Sequence, residues 1–172
     1  KNEAHEFAFE SSELRLNKLE NGRFHLNPHA VITSNDKLIF SESCCYGMNP
    51  KEHWIFNKIK LSQCTRVLGK SFMLGGRANH WHLLSEELPK LYRLTKNGLN
   101  INDFEYLLVE SLKYKTQKEI YDLFGVNFKK FLSLNEHKHV ESYELYFFSS
   151  YYQPDIEALL WVKNTILHKI KH

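Results

Sequence analysis

The sequence has no long apolar run. Stretches such as Tyr106-Leu107-Leu108-Val109 and Leu145-Tyr146-Phe147-Phe148 fall far short of the ~20 residues that a membrane-spanning helix needs, so no transmembrane segment is expected. Cysteine is scarce, at three residues, and the odd count with an adjacent pair, Cys44-Cys45 and a separate Cys64, is no disulfide framework for a small secreted domain. Reduced thiols and a cytoplasmic setting are the expectation. Neither sign of charge dominates: 23 Lys and Arg against 20 Asp and Glu leave a dispersed +3, which is no nucleic-acid footprint. Internal repeats and Pro- or Ser-rich linkers are missing as well. The chain opens Lys1-Asn2-Glu3 with neither an initiating Met nor a charged-then-apolar leader, which reads as a signal peptide absent or removed and as a possible fragment.

What is present is a core. Hydrophobic residues make up 42% and aromatics 14% of 172 residues, which excludes disordered and low-complexity classes. A chain of this length can bury roughly 70% of its unfolded surface. Two styles of sequence meet near residue 65. Residues 1–64 form a β-rich lead-in of short β-prone runs and turn signals: Asn21-Gly22 between Leu19 and Phe24, and Ser34-Asn35-Asp36 between Ala30-Val31-Ile32-Thr33 and Leu38-Ile39-Phe40, predict hairpins. Residues 65–172 alternate strand-like and helix-like segments, predicting a Rossmann-like α/β domain around a mostly parallel sheet. The predicted elements are a strand at Ser71 to Leu74, a helix from Asn79 to Lys96 closed by Asn97-Gly98 and a strand at Phe104 to Glu110. A helix from Thr116 to Phe124 ended by Gly125 follows, then strands at Lys130 to Leu134 and Ser142 to Ser149, and a last helix after Pro154.

Chemistry concentrates between Gly75 and Leu91. Helical spacing puts Trp81, Leu84, Leu88 and Leu91 on one apolar face, predicted to dock on the sheet. The opposite face aligns Asn79, His82 and Glu86 at steps of three and four, an amide, an imidazole and a carboxylate near the helix start. If the preceding strand is central and parallel, this row lies at the carboxyl edge of the sheet, where open α/β folds bind ligands. The Gly75-Gly76 turn with Arg77 suits an anionic group. Pro89 removes a backbone donor from the helix and predicts a kink.

The stretch Asn79-His80-Trp81-His82-Leu83-Leu84-Ser85-Glu86-Glu87-Leu88-Pro89-Lys90-Leu91 resembles the Asn-Tyr-Tyr-His-Trp-Leu-x-Asp/Glu-x-Leu-Pro-Arg-Leu signature of glycosyltransferase family 61, the capsular polysaccharide biosynthesis type. Asn79, His82, Leu84, Glu86, Leu88, Pro89 and Leu91 match. His80, Trp81, Leu83 and Lys90 depart. The resemblance implies a three-layer, Rossmann-like half of a two-domain, GT-B-like enzyme that moves a sugar from a nucleotide-sugar donor to a saccharide acceptor with inversion. It implies no cofactor, and it implies that this chain is the amino-terminal, acceptor-side half, its partner a missing carboxyl-terminal domain of the same enzyme. Inverting transfer needs a base for the acceptor proton and positive charge or N–H dipoles for the leaving diphosphate. His82 is the candidate base and Glu86 its orienting carboxylate. Arg77 and Lys90 are candidates to face the diphosphate, Asn79 either binds a sugar hydroxyl or caps the helix, and Tyr151 and Tyr152 are candidates for ligand contact.

Two other functions compete. One is a saccharide- or nucleotide-binding module without catalysis. The other is a metal-dependent hydrolase using His80-x-His82 and His137-x-His139, with Cys44, Cys45 and Cys64 as further ligands. Positions two apart on a helix point in different directions and no His-Glu-x-x-His or Cys-x-x-Cys framework occurs, so no metal is assigned.

Overall fold

Period-two burial organises the centre of the molecule. In the strand Thr65–Gly75, Phe72 and Leu74 face one way and Met73 the other; in Tyr106–Val109, Leu107 and Val109 oppose Leu108. A computed structural model describes residues 15–27, 29–43, 49–75, 79–110, 112, 114–149 and 155–170. Its strands are β1 (Leu16–His25), β2 (Ala30–Ile32), β3 (Thr65–Gly75), β4 (Tyr106–Val109), β5 (Phe131–Ser133) and β6 (His139–Phe148). They form one mixed sheet in the order β2-β1-β6-β3-β4-β5. β3 is central and parallel to β4 and β6, and β5 extends the parallel set, while β1 runs antiparallel to both β2 and β6. The protein is therefore an α/β fold in which the lead-in and the later segments share one sheet.

Helix α1 (His80–His82) continues through a π turn (Leu83–Glu87) into α2 (Leu88–Lys96); α3 spans Lys115–Leu123 and α4 Ile156–Ile170. Leu83, Leu88, Leu91 and Leu94, Tyr121 of α3 and Val162 of α4 all join one core cluster with Phe72, Leu74, Leu107 and Val109. The cluster on the other face is made of strand and loop residues, among them Phe24, Val31, Val67, Leu108, Leu134, Val140 and Phe147. The link from β5 to β6 has no room for a helix on that side: residues 134 to 138 are all that separate the two strands.

That short link forces the sheet to curl. Leu134 N–H bonds the Val109 carbonyl at the end of β4, and His137 Nδ1 lies 3.1 Å from Thr65 Oγ1 at the start of β3. Three residues of chain reach at most about 10 Å, whereas the 11 residues of β3 would span roughly 35 Å if straight. β3 bends at two register shifts, between Val67 and Lys70 against β6 and between Met73 and Gly75 against β4. Gly69 at the first allows close approach, since a Cβ there would sit 3.0 Å from the Glu105 side chain. The starts of β3 and β6 thus fold over the far face of β4 and β5.

Local punctuation performs as read at several helix ends: Gly98 and Gly125 take positive φ (74° and 69°) after α2 and α3. Two expectations are corrected. Asn21-Gly22 makes no hairpin; β1 runs through it, paired with β6 on both sides (Glu20 with Glu144, Gly22 with Ser142). Asn21 accepts a φ of 49° within the strand, and Gly22 is needed because a Cβ would lie 2.6 Å from Leu19 Cβ and 3.0 Å from Leu145 Cβ. The second predicted hairpin is shortened: Leu38 bridges Ile32 and the Ile39 N–H bonds the Val31 carbonyl at 2.9 Å, but the pairing stops at a 3₁₀ turn at Phe40–Glu42. Ser43 is the reason: its hydroxyl accepts the Val31 N–H at 3.0 Å and donates to the Ile39 carbonyl at 2.7 Å, replacing strand pairing.

Candidate functional site

β3 ends at Gly75, whose φ of 126° is open only to glycine and whose carbonyl receives the Glu110 N–H at 2.6 Å. Gly76, Arg77 and Ala78 lie outside the described residues, as do Tyr151 and Tyr152, so the structure does not position the candidates Arg77, Tyr151 and Tyr152. Asn79 is extended (φ −131°, ψ 151°) and caps the helix, its Oδ1 accepting the His82 N–H at 2.9 Å. Of its two expected roles, capping is the one the geometry displays.

His82 and Glu86 meet as the spacing predicts. Nδ1 of His82 stands 2.6 Å from Glu86 Oε1, with the imidazole 22% and the carboxylate 42% exposed. Facing a carboxylate oxygen, Nδ1 is the donor of this hydrogen bond and Oε1 the acceptor. The bond holds the ring in one orientation, partly open to solvent. β3 being central and parallel, this pair sits at the carboxyl end of the sheet.

The expected kink at Pro89 is a π turn. The Leu88 N–H reaches back five residues to the Leu83 carbonyl, and the helix restarts so that Pro89 occupies the first turn of α2, where a missing N–H costs little. Ser85 Oγ donates to the Trp81 carbonyl at 2.7 Å within the same turn. The extra residue rotates the buried face, which corrects the expected stripe. Leu83, Leu88, Leu91 and Leu94 are buried, whereas Trp81 is 68% and Leu84 36% exposed. A uniform 3.6-residue period cannot give that phase.

Lys90 turns inward, its Nζ donating to the Leu74 carbonyl at 2.7 Å. The ammonium ties α2 to the end of β3. Beside it the sequence reading missed a buried pair: Glu87, 3% exposed, accepts a hydrogen bond from the hydroxyl of Tyr121, which is fully buried. Burial first, and then the Glu87 carboxylate, hold the Tyr121 phenol well above its usual value, so it stays a donor. Glu87 also lies against Gly75, where an added Cβ would be 3.1 Å from its Cγ. The family-like signature leaves Glu87 unspecified, and Tyr121 comes from a distant helix; the spacing of Glu87, four residues from both Leu83 and Leu91, is the sequence signal that could have marked it as buried.

The remaining histidines serve other partners. His80 Nε2 lies 3.0 Å from Thr116 Oγ1 and its ring stacks on Tyr114 at 5.7 Å; His137 meets Thr65, and His139 Nδ1 donates to the Ser62 carbonyl at 3.0 Å. Among the described residues no three His, Cys, Asp or Glu side chains gather to hold a metal, and no helix is long and apolar enough to cross a membrane. No family model, curated protein or solved structure matches the chain.

Proposed function

We propose that the protein is an inverting glycosyltransferase of polysaccharide biosynthesis, the acceptor-side, Rossmann-like half of a GT-B-like enzyme. The observation that carries this reading is the His82–Glu86 pair, 2.6 Å apart at the carboxyl end of a central parallel strand. In the reaction, Nε2 of His82 takes the proton from an acceptor hydroxyl as that oxygen bonds to the anomeric carbon. The bond from that carbon to the nucleoside diphosphate breaks with inversion, and the diphosphate leaves with the electron pair. Glu86 holds the ring and stabilises the imidazolium that forms. Arg77 is the cation proposed for the diphosphate. Lys90 acts by fixing α2 to β3, because its ammonium is held by the Leu74 carbonyl.

The test is transfer from a panel of nucleotide-sugars to saccharide acceptors by this chain joined to the carboxyl-terminal half proposed for it. His82→Ala lowers kcat by about 10²- to 10⁴-fold, and Glu86→Gln, which removes the carboxylate that holds the ring, lowers it by less. Retention of full activity by His82→Ala, or failure of the wild-type protein to bind any nucleotide-sugar or saccharide, overturns the reading. The engagement of Lys90 with backbone favours a second reading, a non-catalytic saccharide-binding module. It predicts saccharide binding that survives His82→Ala with no transfer by either protein.

A further inference from the structure

The curl of the sheet leaves a pocket of about 380 Å³ where the end of β1 and the start of β6 face the ends of β4 and β5. Leu26, Asn27, His29, Trp54, Glu110, Asn135 and Lys138 line it, coming from four separate stretches of chain. Trp54 is 43% exposed and stands on a short 3₁₀ turn (Trp54–Asn57), where Nδ1 of the preceding His53 accepts the Ile55 N–H at 3.2 Å. From that turn the Trp54 side chain lines the pocket. Among the described residues the Asn27, Glu110, Asn135 and Lys138 side chains enter no hydrogen bond or ion pair. Asn27, Glu110, Asn135 and Lys138 therefore converge, with His29, on one concavity that also holds the Trp54 ring.

We infer that this pocket, lined by Trp54, Asn27, Asn135, Glu110 and Lys138, binds a neutral pyranose unit of a saccharide. A pyranose has an apolar C–H face that packs on an aromatic ring and a rim of hydroxyls that both donate and accept. Two amides, a carboxylate and an ammonium match that rim. The Glu110 carboxylate and the Lys138 ammonium offset each other, which disfavours a phosphate or a polycation, and the amides and the His29 imidazole beside them disfavour an apolar ligand. The Glu110 N–H also bonds the Gly75 carbonyl, at the start of the loop leading to His82, so the pocket flanks the strand end that carries the proposed base. The inference rests on the saccharide part of the proposed function and adds the site where the sugar is held.

The experiment is saturation-transfer NMR together with tryptophan fluorescence titration, using the methyl glycosides of glucose, galactose and N-acetylglucosamine. At least one glycoside binds the wild-type chain. Trp54→Ala weakens that binding at least 10-fold and Asn135→Ala several-fold, and Tyr143→Ala, an exposed position on β6, leaves it unchanged. If Trp54→Ala does not fold, Asn135→Ala and Lys138→Met, both at exposed positions, decide. Absence of binding by wild type, or binding indifferent to these substitutions, overturns the pocket. Binding that requires Trp54, with no sugar transfer even when the chain is joined to its carboxyl-terminal half, sinks the glycosyltransferase reading and leaves the pocket standing. Transfer that requires His82, with an acceptor KM unmoved by Trp54→Ala, does the reverse.

Discussion

Gly75 combines a φ of 126° with contact to the buried Glu87, and each alone disfavours a side chain. Gly75→Ala is expected to cost about 1–3 kcal/mol, read from the urea midpoint; a wild-type midpoint would show that the end of β3 has another conformation. His25 is also buried, its Nε2 3.0 Å from Ser62 Oγ and its ring 5.3 Å from that of His139. Burial, then His139 and then Lys58, push the His25 imidazole down to about 4 from its usual 6.5. Between those values the unfolded chain binds a proton that the folded chain refuses, so stability falls as pH drops from 6.5 to about 4. At about 1.4 kcal/mol per unit the loss is ~3 kcal/mol. Urea midpoints from pH 7.5 to 4 should show this slope in the wild type, and His25→Gln should flatten it.

The π turn shows how one element can be legible in outline and misread in phase. Asn79 as cap, Asn97-Gly98 as terminator and the pairing of His82 with Glu86 were all readable, because each depends on residues within one turn of one another. The buried stripe was not, because it depends on how the chain relieves Pro89 by inserting a residue. The two phases make opposite claims. Leu83→Ala should lower stability by about 2–5 kcal/mol, while Leu84→Ala should stay within about 1 kcal/mol; denaturation curves giving the reverse order would restore a regular α-helix. Asn21-Gly22 was misread for a related reason: the dipeptide favours positive φ in a turn, but here that freedom serves the close approach of β1 to β6.

Across the whole molecule, a parallel α/β sheet could be read from alternating strands and helices, but its partners could not. Nothing local tells β1 that its neighbour is β6, or that residues 134 to 138 will draw the sheet into a curl. The candidate site shows the same division: His82 and Glu86 are neighbours in sequence, whereas Glu87 with Tyr121, and the walls of the pocket, assemble from distant segments. Because Phe24, Leu26 and Val31 of the lead-in complete a cluster with Val67, Val140, Leu145 and Phe147, residues 65–172 alone should lack a cooperative unfolding transition. A sigmoidal urea curve for that piece with the full chain's midpoint would show that the lead-in is dispensable. The pairing of β1 with β6 also has a consequence in time. Arg15 and Ser149, hydrogen-bonded beside the two strands, are 134 residues apart, so β1 has to wait for most of the chain before its main partner exists. Through that interval one edge of β1 is unsatisfied, and when β6 appears its Leu145-Tyr146-Phe147-Phe148 run is open to other chains until the two meet. Refolding yield should therefore fall with protein concentration more steeply than native stability would suggest.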